Sequence, residues 1–149
     1  MTVPQGAPPA SETRHASAVA VDGRAVLIEG PSGSGKSGLA LDLISRGARL
    51  IADDRTRLVL RDGWPWALPP ERLAGVIEAR GVGLIRSEGH PPAPLTLVVE
   101  MGAVETARLP APRTKEVLGQ AILHLRRVDA PHFASAILAL LKGGLWHDV

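Results

Sequence analysis

Apolar positions come in short runs, and the spacing within those runs changes along the chain. Ala16-Ser17-Ala18-Val19-Ala20-Val21 is a run of small and β-branched residues that stops at Asp22-Gly23, a dipeptide suited to a tight hairpin turn. Ala25-Val26-Leu27-Ile28-Glu29 follows, apolar at nearly every position, as in a strand covered on both faces. A glycine-rich loop spans Gly30 to Gly35. From Lys36 to Arg46 the spacing lengthens to that of a helix, with Leu39, Ala40, Leu43 and Ile44 on one stripe. Gly47 stands where a left-handed residue would close that helix.

Arg49-Leu50-Ile51-Ala52 predicts a short strand ending at Asp53-Asp54, and Arg57-Leu58-Val59-Leu60 another, closed by Asp62-Gly63. Trp64 to Pro70 reads as a turn-rich connection, with Trp64 and Trp66 capping the core edge. Val76-Ile77 and Val82-Gly83-Leu84-Ile85 flank Glu78-Ala79-Arg80-Gly81. Ser87 to Pro94 reads as a proline-bearing loop and Leu95 to Val99 as a buried strand. Residues 102–130 show no clear period. Pro131 to Lys142 predicts a helix that packs Phe133, Ile137 and Leu141 inward, with Gly143-Gly144 past its end. Residues 1–14 contain Pro4, Gly6, Pro8 and Pro9 but no apolar core, so they read as a flexible tail and not as a secretory leader. No internal repeat is seen, and one α/β domain over 15–149 is the economical reading.

Composition narrows the classes of function. The chain has 149 residues, about one domain, with 45% hydrophobic and 21% charged residues, which excludes a wholly disordered chain. Lys and Arg number 17 against 15 Asp and Glu, too near balance to suggest a nucleic-acid partner. Trp64, Trp66, Phe133 and Trp146 are the whole aromatic complement, a poor stacking platform for single strands. Cysteine is absent, so disulfides, thiolate zinc sites and a Cys nucleophile are excluded. No apolar window approaches the roughly 18 to 20 residues of a spanning helix. The expectation is a cytoplasmic protein without a membrane partner.

Candidate chemistry begins at Gly30-Pro31-Ser32-Gly33-Ser34-Gly35-Lys36-Ser37, which fits G-x-x-x-x-G-K-[ST] at every fixed position. The context fits as well, an apolar strand before and an amphipathic helix after. Glycines let the backbone turn its N–H groups toward phosphate oxygens, and the helix start adds its positive end. Lys36 would neutralise the β- and γ-phosphates of ATP, and Ser37 would place its hydroxyl on Mg²⁺. A glycine-rich turn without a ligand is the plain alternative. A dinucleotide loop is another, since Gly33, Gly35 and Gly38 match G-x-G-x-x-G with Asp53 downstream. The loop from Glu29 to Gly33 is long for that turn, and a dinucleotide has no need of Lys36.

Asp53-Asp54 closes a strand, where ligands bind in open α/β sheets. Adjacent carboxylates there would suit a nearby cation such as Mg²⁺, or one could orient a nucleophile. A solvated Asp-Asp turn explains the pair equally well. Glu78 lies between apolar stretches and next to glycines, and a surface pair with Arg80 is its plain reading. His90, His124, His132 and His147 show no metal-ligand spacing, and Arg126-Arg127 reads as solvated surface.

From His15 through Arg86 the chain resembles the catalytic domain of the bacterial HPr kinase/phosphorylase family. The features that carry this come in order: His15-Ala16-Ser17, the Asp22-Gly23 turn, the Gly30–Ser37 loop, Ala52-Asp53-Asp54, and Ile77-Glu78-Ala79-Arg80-Gly81-Val82-Gly83. Glu105-Thr106-Ala107-Arg108-Leu109-Pro110 is similar to the segment that supplies a catalytic arginine in the family. The family's later Arg-Pro-Gly-Arg loop has no clear counterpart, and the expectation is a short form without the amino-terminal domain of the long family members. The resemblance implies an α/β phosphate-loop domain related to phosphoenolpyruvate carboxykinase, a mixed sheet flanked by helices. It implies ATP- and Mg²⁺-dependent phosphorylation of a serine on an HPr-type phosphocarrier, and a reverse step in which phosphate releases pyrophosphate. Asp54 would exchange the proton with the serine hydroxyl, with Asp53 beside it. Ser37 and Glu78 would hold Mg²⁺, His15 would touch the phosphoryl group and Arg108 would stabilise its charge. The carboxy-terminal helix would help grip the protein substrate, and a homo-oligomer stays open. Two other functions compete: a non-catalytic ATP sensor, and a small-molecule kinase.

Overall fold

The computed structural model describes residues 9–146, so most of the expected tail and His147 lie outside the described residues. Near its end that tail is ordered: Ser11–Arg14 form strand β1. The expected hairpin follows, with β2 (Ala16–Val21) antiparallel to β3 (Arg24–Glu29). Asp22 and Gly23 take φ of 50° and 74° at its turn, left-handed at both central positions. The loop leads into α1 (Lys36–Ser45), and Gly47 closes it at φ 107°. Strand β4 (Arg49–Ala52) returns antiparallel to β2. Strand β5 (Thr56–Arg61) turns at Asp62-Gly63 into β6 (Trp64–Leu68), and β1 pairs on β5's other edge.

The segment from Trp64 is therefore a strand and not a turn-rich connection. Its pattern misleads because the small residues, Pro65 and Ala67, are the buried ones. Strands β7 (Val76–Ala79) and β8 (Gly83–Arg86) form a separate antiparallel hairpin. Strand β9 (Ala93–Val104) starts inside the expected proline loop and runs well past Val99. The stretch without a period holds β10 (Arg113–Val117) and β11 (Gln120–Arg127). Most of β11 is half-buried on both sides, which erases alternation. Helix α2 (Phe133–Gly143) is the last element among the described residues, with Gly144 past it at φ 71°.

The main sheet runs β10-β11-β9-β3-β2-β4, with β11, β9 and β3 parallel and the other pairs antiparallel. A second sheet, β1-β5-β6, joins it where Ala93 and Pro94 of β9 pair with Ala67 and Trp66. The mixed sheet and its helices match the expectation, with both helices on one face. There Leu39, Leu43, Phe133 and Ile137 bury against Val26, Ile28, Leu97 and Val99. The opposite face is lined by Ala16, Ala18, Ala20 and Leu27, and is covered by Leu58 and Ala67 of the second sheet. Strand β3 is thus enclosed on both sides, as its unbroken apolar run predicts. Its C-terminal end delivers the chain to the loop.

Candidate active site

The loop is shaped by three glycines in conformations that other residues rarely adopt: Gly30 at φ 147°, Gly33 at 80° and Gly35 at 100°. Gly30 also has no room for a side chain, since a Cβ would stand 2.6 Å from Ser34 Oγ and 3.1 Å from Met101 Cβ. Gly35 precedes α1 and provides no side-chain cap, so the first-turn N–H groups stay open to the loop. Lys36 is almost fully buried, and its Nζ donates to Gly30 O at 2.7 Å, closing the loop on itself.

The neighbouring strand braces this curl. At the end of β9, Glu100 Oε1 accepts from Gly102 N at 2.6 Å. Arg127 Nη1 donates to Met101 O at 2.8 Å. A Cβ on Gly102 would stand 3.0 Å from Pro31 Cδ. Sequence reasoning missed Glu100, Met101 and Gly102. The available signal was an apolar run ending in a carboxylate, and its register beside β3, Glu29 opposite Glu100, is tertiary.

The two aspartates part company. Asp53 is a junction: Oδ1 accepts from Ser17 Oγ at 2.9 Å and Ser37 Oγ at 3.2 Å, and Oδ2 from Glu78 N at 3.2 Å. It thereby ties β2, α1 and β7 to the end of β4. Asp54 has φ 67° and donates its backbone N–H to Ser17 Oγ at 3.3 Å. Its carboxylate stands at the rim, 68% exposed, 2.7 Å from Nε2 of His15. An ionised carboxylate only accepts, so Nε2 carries the proton. Ser17, fully buried and shared between the aspartates, is another residue that sequence reasoning did not single out.

A cleft of about 590 Å³ opens here, lined by Lys36, Ser37, Asp53, Asp54, Glu78 and Arg80 among others. Ser32, Gly33 and Gly35 of the loop border it too. His15 reaches the cleft through its bond to Asp54. Arg108 does not: it is exposed on the connection between β9 and β10 and lines no part of the cleft. Near it, Arg113 Nη1 donates to Glu105 Oε1 at 2.6 Å. That bond, with further N–H donation from Ala107, holds the Glu105 carboxyl down to about 2. A smaller cleft of about 350 Å³ lies at the other end of β3, beside Arg24 and the end of α2, and holds none of the motif residues.

Among the described residues no three acidic or imidazole side chains converge as a self-sufficient metal cage. The oxygens present, Ser37 Oγ with the Asp53 and Glu78 carboxylates, are hard donors of the type Mg²⁺ takes when phosphate and water complete its shell. The curled loop with its cation and open N–H groups suits a polyphosphate. The residues therefore fit a Mg²⁺-nucleotide.

Comparison with known proteins identifies the family and the fold. Residues 9–89 match the family described as HPr Serine kinase C-terminal domain. An HPr kinase/phosphorylase of Streptococcus thermophilus is 49% identical over 72 residues, 48% of this chain and 23% of the relative. One from Streptococcus pneumoniae is 50% identical over 64 residues, 42% of this chain and 21% of the relative. These matches span under a quarter of those relatives' length. A solved structure, the Hpr(Ser) kinase/phosphatase of Coxiella burnetii, superposes with a TM-score of 0.73 over 88% of both chains at 24% identity. That likeness bears on the fold. No helix among the described residues is long and apolar enough to cross a membrane.

Proposed function

The chain belongs to the HPr Serine kinase C-terminal domain family, and from that premise we propose that it phosphorylates a serine of an HPr-type phosphocarrier protein. The phosphoryl donor is ATP with Mg²⁺. The observation that carries the reading is the exposed Asp54 carboxylate, bonded by His15, with the Asp54 backbone N–H held by Ser17, on the rim of the cleft that contains Lys36 and Ser37.

When bound, the Mg²⁺-nucleotide supplies the electrophilic γ-phosphorus and neutralises developing charge. Lys36 exchanges Gly30 O for phosphate oxygens, and the loop N–H groups orient them. Ser37 and Glu78 would hold the ion, with Asp53 accepting from the Ser37 hydroxyl. Asp54 accepts the proton of the serine hydroxyl as its oxygen bonds to the γ-phosphorus and the bond to the β-phosphate oxygen breaks. In reverse, a phosphate oxygen attacks the phosphoserine phosphorus, Asp54 returns the proton to the departing serine oxygen, and pyrophosphate forms. His15 serves by orienting the Asp54 carboxylate. Arg108 stabilises phosphoryl charge only if the connection between β9 and β10 swings to the cleft.

The test combines labelled ATP, Mg²⁺ and a purified HPr-type carrier. Label on serine is expected, together with pyrophosphate when phosphorylated carrier meets phosphate. Asp54→Asn should lower both rates by about 10² or more while ATP still binds. Transfer at the wild-type rate in that variant overturns the role of Asp54. The exposed Arg108, apart from the cleft, favours a second reading as a non-catalytic ATP sensor. That reading predicts ATP binding without label transfer.

A further inference from the structure

The outer face of the second sheet is built unlike a solvated surface. Cross-strand pairing sets Arg57 opposite Leu68, Val59 opposite Trp66, and Arg61 opposite Trp64, all on the side away from the core. The intervening pairs, Leu58 with Ala67 and Leu60 with Pro65, point inward. Strand β6 therefore spends its large side chains on the outside and its small ones on the core. Trp64 is 37% exposed and donates its indole N–H to Leu95 O at 2.9 Å, which fixes the ring across the sheet edge. Rigid tryptophans beside arginines are the composition of protein-binding hot spots.

Charge specifies what would cover this face. Neither Arg57 nor Arg61 meets a carboxylate among the described residues. Asp62, in the adjoining turn, pairs with neither. On β1 the outward neighbours are Ser11 and Thr13, both uncharged. The face is apolar and cationic, so its complement is an apolar patch set among carboxylates. A second copy of the same face would set arginine against arginine. A nucleic-acid base would want the flat face of Trp66, but the Arg61 guanidinium lies over that ring, 5.2 Å from its centre.

The face also begins at the candidate active site. Thr13 is two residues before His15, and Arg57 three residues after Asp54. Strands β1 and β5 thus run out from the two members of the exposed pair. We infer that this Trp-Arg face is the docking surface for the phosphoacceptor protein, gripping carboxylates and an apolar patch of that protein while its serine reaches Asp54. The inference rests on the proposed function for the identity of the partner.

The probe is a purified HPr-type carrier added to ¹⁵N-labelled protein without nucleotide. The indole N–H signals of Trp64 and Trp66 should shift on titration. The Arg57→Glu, Arg61→Glu double variant should weaken carrier binding at least about tenfold. It should raise the KM for carrier by a similar factor and leave kcat and the KM for ATP unchanged. A melting curve checks that the variant is folded, and Arg57→Gln, Arg61→Gln provides a milder pair. Carrier binding with still Trp64 and Trp66 signals, unchanged affinity in the double variant, or no carrier binding overturns the inference. So do indole shifts caused by concentrating the protein alone or by an oligothymidylate in place of the carrier. Docking at this face without phosphoryl transfer retains the inference and overturns the proposed function. Transfer with unchanged carrier KM in the double variant does the reverse.

Discussion

Asp53 and Asp54 are chemically identical neighbours with opposite tasks, and hydrogen-bond partners make the difference. Asp53 spends both oxygens on Ser17, Ser37 and the Glu78 N–H, so it holds the site together. Asp54, turned outward by its left-handed backbone, keeps a carboxylate at the rim with only His15 on it. Glu105 shows how strongly one partner acts. Its carboxyl is lowered from 4.5 to about 2, first by the hydrogen bond from Arg113 and then by the Ala107 N–H. A carboxyl lowered on folding stabilises the fold fully above its ordinary value of 4.5, and that contribution fades as pH falls toward about 2. Arg113→Gln should move the Glu105 titration back up toward 4.5, read from its side-chain carbon in a ¹³C NMR pH series. An unmoved titration would show that Arg113 is not the cause.

At the scale of elements, the phosphate loop is a shared product of three strands and a helix. Strand β3 delivers it and α1 receives it, while β9 backs it through Met101 and Gly102. Met101 is held in turn by Arg127 from β11. A methyl group at Gly102 would crowd Pro31 at 3.0 Å and the Glu100 carboxylate at 2.7 Å. Gly102→Ala should therefore push the loop and weaken binding of a non-hydrolysable ATP analogue by about tenfold, equivalent to roughly 1.4 kcal/mol. Titration calorimetry measures it, and unchanged affinity would mean that the loop holds its shape without β9. His124, on the same β11, has a buried Nε2 with no partner among the described residues. Burial, and then the nearby Lys115, push its pKa below the ordinary imidazole value.

Across the whole molecule, the sheet is packed differently on its two sides. The helix side uses Leu, Ile, Val and Phe. The other side is alanine-rich, with Ala16, Ala18, Ala20, Ala25, Ala52, Ala67 and Ala93 all buried. Small side chains let the second sheet approach closely and carry β1 and β5 to the His15–Asp54 pair. Space for a larger residue is lacking there. Ala18→Leu should destabilise the fold by about 1–3 kcal/mol through overpacking. Urea denaturation should show a lower midpoint. A midpoint at or above wild type would mean the interface can open without cost.

Local signals were enough for the parts of the molecule that local physics decides. The fixed pattern from Gly30 to Ser37, the helix stripe after it, and the two Asp-Gly turns are short-range features, and all take their expected form. His15, Asp54, Lys36, Ser37 and Glu78 were legible as candidates because a motif or a resemblance marks each one. Their meeting at one cleft, His15 through its bond to Asp54 and Glu78 through Asp53, required the β2-β4 and β2-β3 pairings together with those bonds, which no run of residues specifies alone. The same holds for Ser17 between the aspartates, for Glu100 beside the loop, and for Arg108 remaining outside. Strand β6 is the clearest case. Its alternation reveals which residues share a side, but only packing against Leu58 and Ala93 decides which side is the core. Periodicity specifies sides, and burial, a property of the assembled sheet, chooses between them.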